Sequence, residues 1–176
     1  MINELTYRPG TVNDLTQLKE LGLAAYGEFA RILTPENWGK MHATPNHEEK
    51  LLQLIDTAKV YVCAYRANII GVAYLVPHGN PTPIYPADWC YIRLVGVHPD
   101  HRGKGIAKTL TEYCINYAKR TGETTIGLHT SEMMDAARHI YESLGFKRQK
   151  EIDNPFGVTY WLYSLDLTTQ KQKEAA

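Results

Sequence analysis

The chain is 176 residues long, with 19 Lys and Arg against 19 Asp and Glu, a formal net charge of zero and 44% hydrophobic residues. That length suits one domain with a substantial core. Balanced charge excludes a general nucleic-acid binder, which carries a basic face, though it leaves room for a local basic pocket.

Leu5–Arg8 reads as a short first strand that Pro9-Gly10 breaks. Thr11 and Asp14 have the spacing of a capping box, and Leu15, Leu18, Gly22, Ala25 and Phe29 follow at helical spacing. Pro35, Trp38 and Gly39 mark a loop or irregular helical segment, after which Asn46 caps a second helix with Leu51, Leu54, Ile55 and Ala58 on one face. Val60–Tyr65 and Ile69–Val76 are β-branched and aromatic runs joined by a hairpin at Arg66-Ala67-Asn68. Four prolines and a glycine make Pro77–Asp88 irregular, and Trp89–Val97 is a third long strand. Lys104–Arg120 is a helix with Ile106, Leu110, Cys114 and Tyr117 inward, followed by a strand at Thr124–Leu128. Met133–Leu144 is a helix whose inner face is Met133, Ala136, Ala137, Ile140 and Leu144, stopped by Gly145. Phe146–Glu151 and Val158–Leu165 close the chain as strands, and Thr168–Ala176 is a polar tail expected to fray. Helices mixed with a meander of strands predict an α/β (mixed α+β) domain, one mixed sheet covered on both faces.

Cys63, Cys90 and Cys114 are far apart and form no Cys-x-x-Cys pair, so they read as small core residues rather than zinc ligands or a redox pair. No metal is expected. Met1–Gly10 carries Glu4 and Arg8 without an apolar core, which is not a signal peptide, and no segment is apolar enough to span a bilayer. The expected location is the cytoplasm, with no membrane partner.

The chemistry concentrates in Val95-Gly96-Val97-His98-Pro99-Asp100-His101-Arg102-Gly103-Lys104-Gly105-Ile106-Ala107. An apolar strand runs into a glycine-bearing turn with two cations, and a helix starts at once. The first amides of a helix lack internal partners and, with the helix dipole, favour an anion. The ligand should therefore carry phosphate.

Arg102-Gly103-Lys104-Gly105-Ile106-Ala107 resembles the Arg/Gln-x-x-Gly-x-Gly/Ala motif of the GNAT superfamily of N-acetyltransferases, and Ala137–Phe146, ending Tyr141-Glu142-Ser143-Leu144-Gly145-Phe146, resembles its second motif. The element order matches over almost the whole chain. The resemblance implies a GNAT-like acetyltransferase domain over residues 1–167, with a mixed, mostly antiparallel sheet of six to seven strands. It implies that acetyl-CoA is the cosubstrate, its pyrophosphate held by backbone amides of Gly103, Lys104, Gly105, Ile106 and Ala107. Arg102 and Lys104 can add charge or remain solvated loop cations. It places the pantetheine arm beside Val95, Gly96 and Val97, which would offer main-chain partners in the manner of strand addition, and near Met134 and Ala137.

By the same resemblance Tyr141 is the general acid that protonates the leaving sulfur, since a phenol is protonated at neutral pH. Two residues depart from the pattern. Tyr91 stands where many relatives have a glutamate base, which leaves His129, Asp88, Glu132 or bulk water; His129, at a strand end with a pKa near 6.5, would suit the task. Met134 stands where relatives often have asparagine, and it cannot donate a strong hydrogen bond. The resemblance assigns the acceptor site to the first helices and the loop before the third long strand, which supply Tyr26, Phe29, Trp38, His42, His78, Tyr85 and Trp89. Such rings suit a small amine or a peptide N-terminus, or serve as core anchors. A homodimer sharing the final strands is compatible with the family. A non-catalytic acyl-CoA sensor is the rival reading. A dinucleotide-dependent oxidoreductase fails because Lys108 occupies the place of its third glycine.

Overall fold

Seven strands form one sheet in the order β1-β2-β3-β4-β5-β7-β6, and every neighbouring pair is antiparallel except β4 with β5. The computed structural model describes residues 4–169, so most of the expected polar tail lies outside the described residues. The strands are β1 (Leu5–Pro9), β2 (Lys59–Tyr65), β3 (Asn68–Val76), β4 (Cys90–Val97), β5 (Thr125–Ser131), β6 (Lys147–Ile152) and β7 (Tyr160–Asp166). The helices are α1 (Leu15–Tyr26), α2 (Pro35–Asn46), α3 (Glu48–Thr57), α4 (Ile106–Arg120) and α5 (Asp135–Ser143), with short 3-10 turns at Val12–Asp14, Gly27–Arg31 and Pro99–His101.

The period-2 alternation of the strands divides the core. Cys63, Ala73, Leu75, Ile92 and Leu128 pack with Leu110, Cys114 and Ala118 of α4 on one face. Val62, Val72, Tyr74, Tyr91 and Leu162 pack with Leu18, Leu21, Leu51 and Leu54 of α1 and α3 on the other. A third cluster of Phe29, Leu33 and Met41 gathers Tyr26, Trp38, Met133, Met134, Phe156 and Val158 around it. The three cysteines are free and buried, as core residues should be.

The capping box forms: Thr11 accepts from Asn13 N, Asp14 accepts from Thr11 N at 2.8 Å, and the Arg8 guanidinium holds Asp14 at 2.8 and 2.9 Å. Several local expectations need correction. The first strand stops at Pro9-Gly10 as expected but runs one residue past Arg8, with Pro9 opposite Tyr61, which the sheet edge tolerates because no neighbour needs a proline N–H there. Of the two readings of the Pro35 region, the helical one holds, and Pro35–Asn46 is an α-helix rather than an irregular segment, because Pro35 occupies its first position, where its fixed φ and missing donor cost nothing. Asn46 therefore ends α2, and His47, in extended backbone with no side-chain cap, precedes α3. On α5, Ala136 is exposed and Tyr141 takes the buried place beside Ala137, Ile140 and Leu144. Strand β5 runs on to Ser131, which puts His129 inside it rather than at its end.

Candidate active site

The sheet splits between β4 and β5. They pair only at Cys90 with Ile126 and Tyr91 with Gly127, after which no ladder joins them. On the other side of β4, Tyr74 faces Arg93 and Val72 faces Gly96, so two residues of β4 oppose one of β3. That bulge holds Leu94 at a φ of 49° and bends β4 away from β5. His98 N donates to Ile70 O at 2.8 Å. Main-chain groups alternate sides along a strand, so Gly96 and His98 address β3 while Val95 and Val97 address the gap. Val95 O accepts from Tyr26 Oη at 3.2 Å. Gly96 thus serves the gap sterically rather than through its main chain: a Cβ there would lie 3.2 Å from the Ala25 methyl of α1.

Beyond β4 the chain turns through Pro99–His101 into the glycine corner. Gly103 has a φ of 76° and Gly105 a φ of 74°, the latter at the N-cap of α4. These left-handed conformations favour glycine, and a Cβ at either position would meet no protein atom. Thr109 N makes the first helical bond, to Gly105 O at 3.0 Å. The amides of residues 103–108 donate to no acceptor among the described residues, which leaves six consecutive N–H groups at a helix N-terminus. The corner is seated by Gly71 of β3, where an added Cβ would come within 2.6 Å of Ile106. The residues present fit a bound pyrophosphate: the donors are unpaired and the charge sign is right.

Arg102 turns away from that corner. It pairs with Glu28 at 2.7 Å and donates to Ala25 O at 2.8 Å, tying the corner to the end of α1. Lys104 stays exposed, its Nζ 3.4 Å from His101 Nδ1. Met134 precedes α5 and packs against the third cluster, and its sulfur accepts from Thr130 Oγ1 at 3.6 Å.

Tyr141 is 7% exposed, and its ring stands edge-on to Phe146. Burial pushes its phenol well above the usual value, with Tyr26 and Cys114 adding to the effect. Its hydroxyl makes no hydrogen bond among the described residues and keeps a trace of solvent access. Tyr26 and Tyr85 lie within electrostatic reach of it, and both are also pushed upward by burial.

His129 faces these rings. Its Nδ1 is 2.6 Å from Tyr85 Oη, and its ring lies beside Tyr160. Burial, then the charge of Arg93, pull its pKa down to about 4, so it is neutral at pH 7 and a weaker base than an ordinary histidine. Tyr91, where the glutamate was expected, stacks on Tyr85 at 4.2 Å and donates to Asn80 O at 3.0 Å. Glu132 accepts from Thr159 N at 2.9 Å and holds the start of β7, and Asp88 is exposed.

Of the ring residues named from sequence, Tyr26 reaches the open edge of β4 at Val95 O, and Tyr85 meets His129. Trp89 and Tyr85 pack over Gly127. Phe29, Trp38 and His42 belong to the third cluster and its cover, and His78 pairs with Glu123 at 2.9 Å. The site also contains Arg93 and Tyr160, which sequence reasoning missed. The one available signal was a lone cation in the apolar run Tyr91-Ile92-Arg93-Leu94-Val95.

Residues 27–146 match the Acetyltransferase (GNAT) family. The chain belongs to the GNAT acetyltransferase family. Human N-acetyltransferase 8B is 39% identical over 88 residues, covering 50% of this chain and 38% of that protein, and rat N-acetyltransferase family 8 member 2 is 29% identical over 115 residues, covering 58% and 49%. The match thus spans half the length or less of these two relatives. PaiA N-acetyltransferase from Thermoplasma acidophilum, solved in complex with coenzyme A, superposes with a TM-score of 0.74 at 18% identity, over 92% of this chain and 98% of that one. The GNAT fold is therefore shared well beyond the family match. Among the described residues no helix is long and apolar enough to cross a membrane, and no cluster of side chains is suited to a metal ion.

Proposed function

We propose that the chain transfers the acetyl group of acetyl-CoA to a primary amine of a small molecule or peptide by direct attack. The observation that carries this reading is the conjunction of six unpaired amides at the glycine corner with an open edge of β4, whose Val95 and Val97 pack against the cluster that contains Tyr141. The amides of residues 103–108 hold the pyrophosphate, and the main chain of Val95 and Val97 holds the extended arm as an added strand would. The amine nitrogen bonds to the thioester carbonyl carbon and the carbon–sulfur bond breaks. The departing sulfur takes the Tyr141 proton, and the phenol recovers a proton from solvent. Such a proton transfer contributes about 10²- to 10⁴-fold to the rate.

With Tyr91 in the usual place of the base, the amine loses its proton to water at the mouth of the gap. His129, held neutral, orients Tyr85 instead of taking that proton. Thiol release measured over a panel of amines tests the reading. Turnover with at least one acceptor supports it. Tight acetyl-CoA binding without thiol release from any amine would instead make the chain an acyl-CoA sensor.

A further inference from the structure

We infer that Arg93 receives a carboxylate of the acceptor, so that the preferred substrate is a small amino acid or amino-acid derivative with a free carboxyl group. This rests on the transferase reading above and names its substrate class. Arg93 is partly buried on β4, beside the bulge that opens the gap. Its guanidinium forms no ion pair and no hydrogen bond with any described residue, and its nitrogens keep access to solvent. Arg8, Arg66, Arg102 and Arg138, by contrast, each pair with a carboxylate.

The charge of Arg93 reaches Tyr26, Tyr85, Tyr91 and His129. Three of these are protonated phenols and the fourth is a neutral imidazole, so none of them neutralises it. A half-buried cation without a counter-ion is costly unless an anion arrives from outside. A guanidinium presents paired N–H groups that match the two oxygens of a carboxylate. Tyr26 and Tyr85 also lie within electrostatic reach of Tyr141. Arg93 and Tyr141 thus share the neighbours Tyr26 and Tyr85, which is the ground for assigning the anion and the reacting amine to one small molecule. A peptide N-terminus offers an amide at that place, which a guanidinium rewards far less.

The test compares thiol release for amino acids, their amides and the corresponding decarboxylated amines, with wild type, Arg93→Gln and Arg93→Lys. We expect wild-type kcat/KM to favour the acid over its amide at least tenfold. Arg93→Gln should lower kcat/KM for the acid about 10- to 100-fold, mostly through KM, and far more than for the amide, as loss of a charge-assisted pair implies. Arg93→Lys should restore part of the preference. Equal use of acid and amide by wild type overturns the inference, as does a preference that survives Arg93→Gln. An equal loss of coenzyme A affinity in Arg93→Gln would assign the cation to a phosphate instead, and also overturns it. Binding of N-acetyl amino acids to the coenzyme A-loaded chain supplies an arm independent of turnover. Absence of thiol release from every amine would sink the transferase reading alone, and this binding arm would still decide the carboxylate site.

Discussion

Replacing Tyr141 by phenylalanine separates the chemistry of this site from its packing. The hydroxyl has no hydrogen-bond partner in the folded chain, and the ring is fixed by burial and by Phe146. Removing it therefore strands no donor or acceptor, and stability should change by less than about 1 kcal/mol. The barrier behaves differently. Loss of a general acid worth about 10²- to 10⁴-fold corresponds to roughly 2.7–5.4 kcal/mol at 1.36 kcal/mol per decade. The expected outcome is a kcat reduced at least a hundredfold, with unaltered affinity for acetyl-CoA and an unchanged Tm. The elevated pKa of the phenol adds a second signature. Burial keeps it protonated through the alkaline range, so the wild-type pH–rate profile should climb as the amine deprotonates and show no fall below pH 10. Thiol release followed from pH 6 to 10, beside thermal unfolding of both proteins, reads all of these. A kcat within threefold of wild type, or a wild-type profile that falls near pH 8, would refute the proton-donor argument.

His129 titrates near 4 when folded and near 6.5 when unfolded, so the unfolded chain binds more protons between those values and stability rises with pH through that window. Acidification from pH 6.5 to 4 should cost on the order of 3 kcal/mol at this residue, and His129→Gln should flatten that part of the stability profile measured by denaturant unfolding. Asp14 shifts the other way: Arg8 holds its carboxyl below the usual value, so its contribution is present above about pH 4 and lost as pH falls through the folded value. Asp14→Asn should cost about 1–3 kcal/mol in urea unfolding, because it weakens the cap and the charged pair together. Gly71→Ala places a methyl 2.6 Å from the Ile106 side chain and 3.1 Å from that of Leu110, so the packing of α4 on β3 must give way. We expect about 1–3 kcal/mol of destabilisation together with weaker coenzyme A binding by calorimetric titration; unaltered affinity would show that the corner is not seated by β3.

The parts of the fold legible in the sequence are those with strong period or strict local chemistry. The Thr11–Asp14 box, the strand runs from Lys59 to Val76 and the inward stripe Ile106, Leu110, Cys114 of α4 all appear where the pattern puts them. The glycine corner was legible because its two positive-φ positions and helix start are adjacent in the chain. The segment Pro35–Asn46 was legible only as a loop or an irregular helical stretch, because a proline is read as a breaker unless its position relative to the helix start is known. The length of β5 was hidden because its extension to Ser131 depends on pairing with β7, some 30 residues later. The site was harder still. From its neighbours in sequence Arg102 reads equally as a phosphate ligand or a solvated loop cation, and only tertiary packing shows it spent on Glu28 and Ala25.

The two departures around β4 are connected. Residues two apart on a strand share a face, so Tyr91 and Arg93 lie on the same side of β4, and the charge of Arg93 reaches the Tyr91 phenol. A carboxylate at position 91 would pair with that guanidinium and cancel its unneutralised charge. Tyrosine gives up a base, and in exchange it leaves the cation available to the acceptor. Tyr91→Glu should therefore erase the preference for acid over amide acceptors even though Arg93 is still present. It should also cost stability, since it replaces a ring that is 4% exposed and stacked on Tyr85. Tyr91→Phe keeps that stack and introduces no charge, so it should keep the preference. Kinetics of an amino acid against its amide, run on both variants, decide the matter. A Tyr91→Glu protein that remained folded and still selected the free carboxylate would show that position 91 does not govern the charge on Arg93.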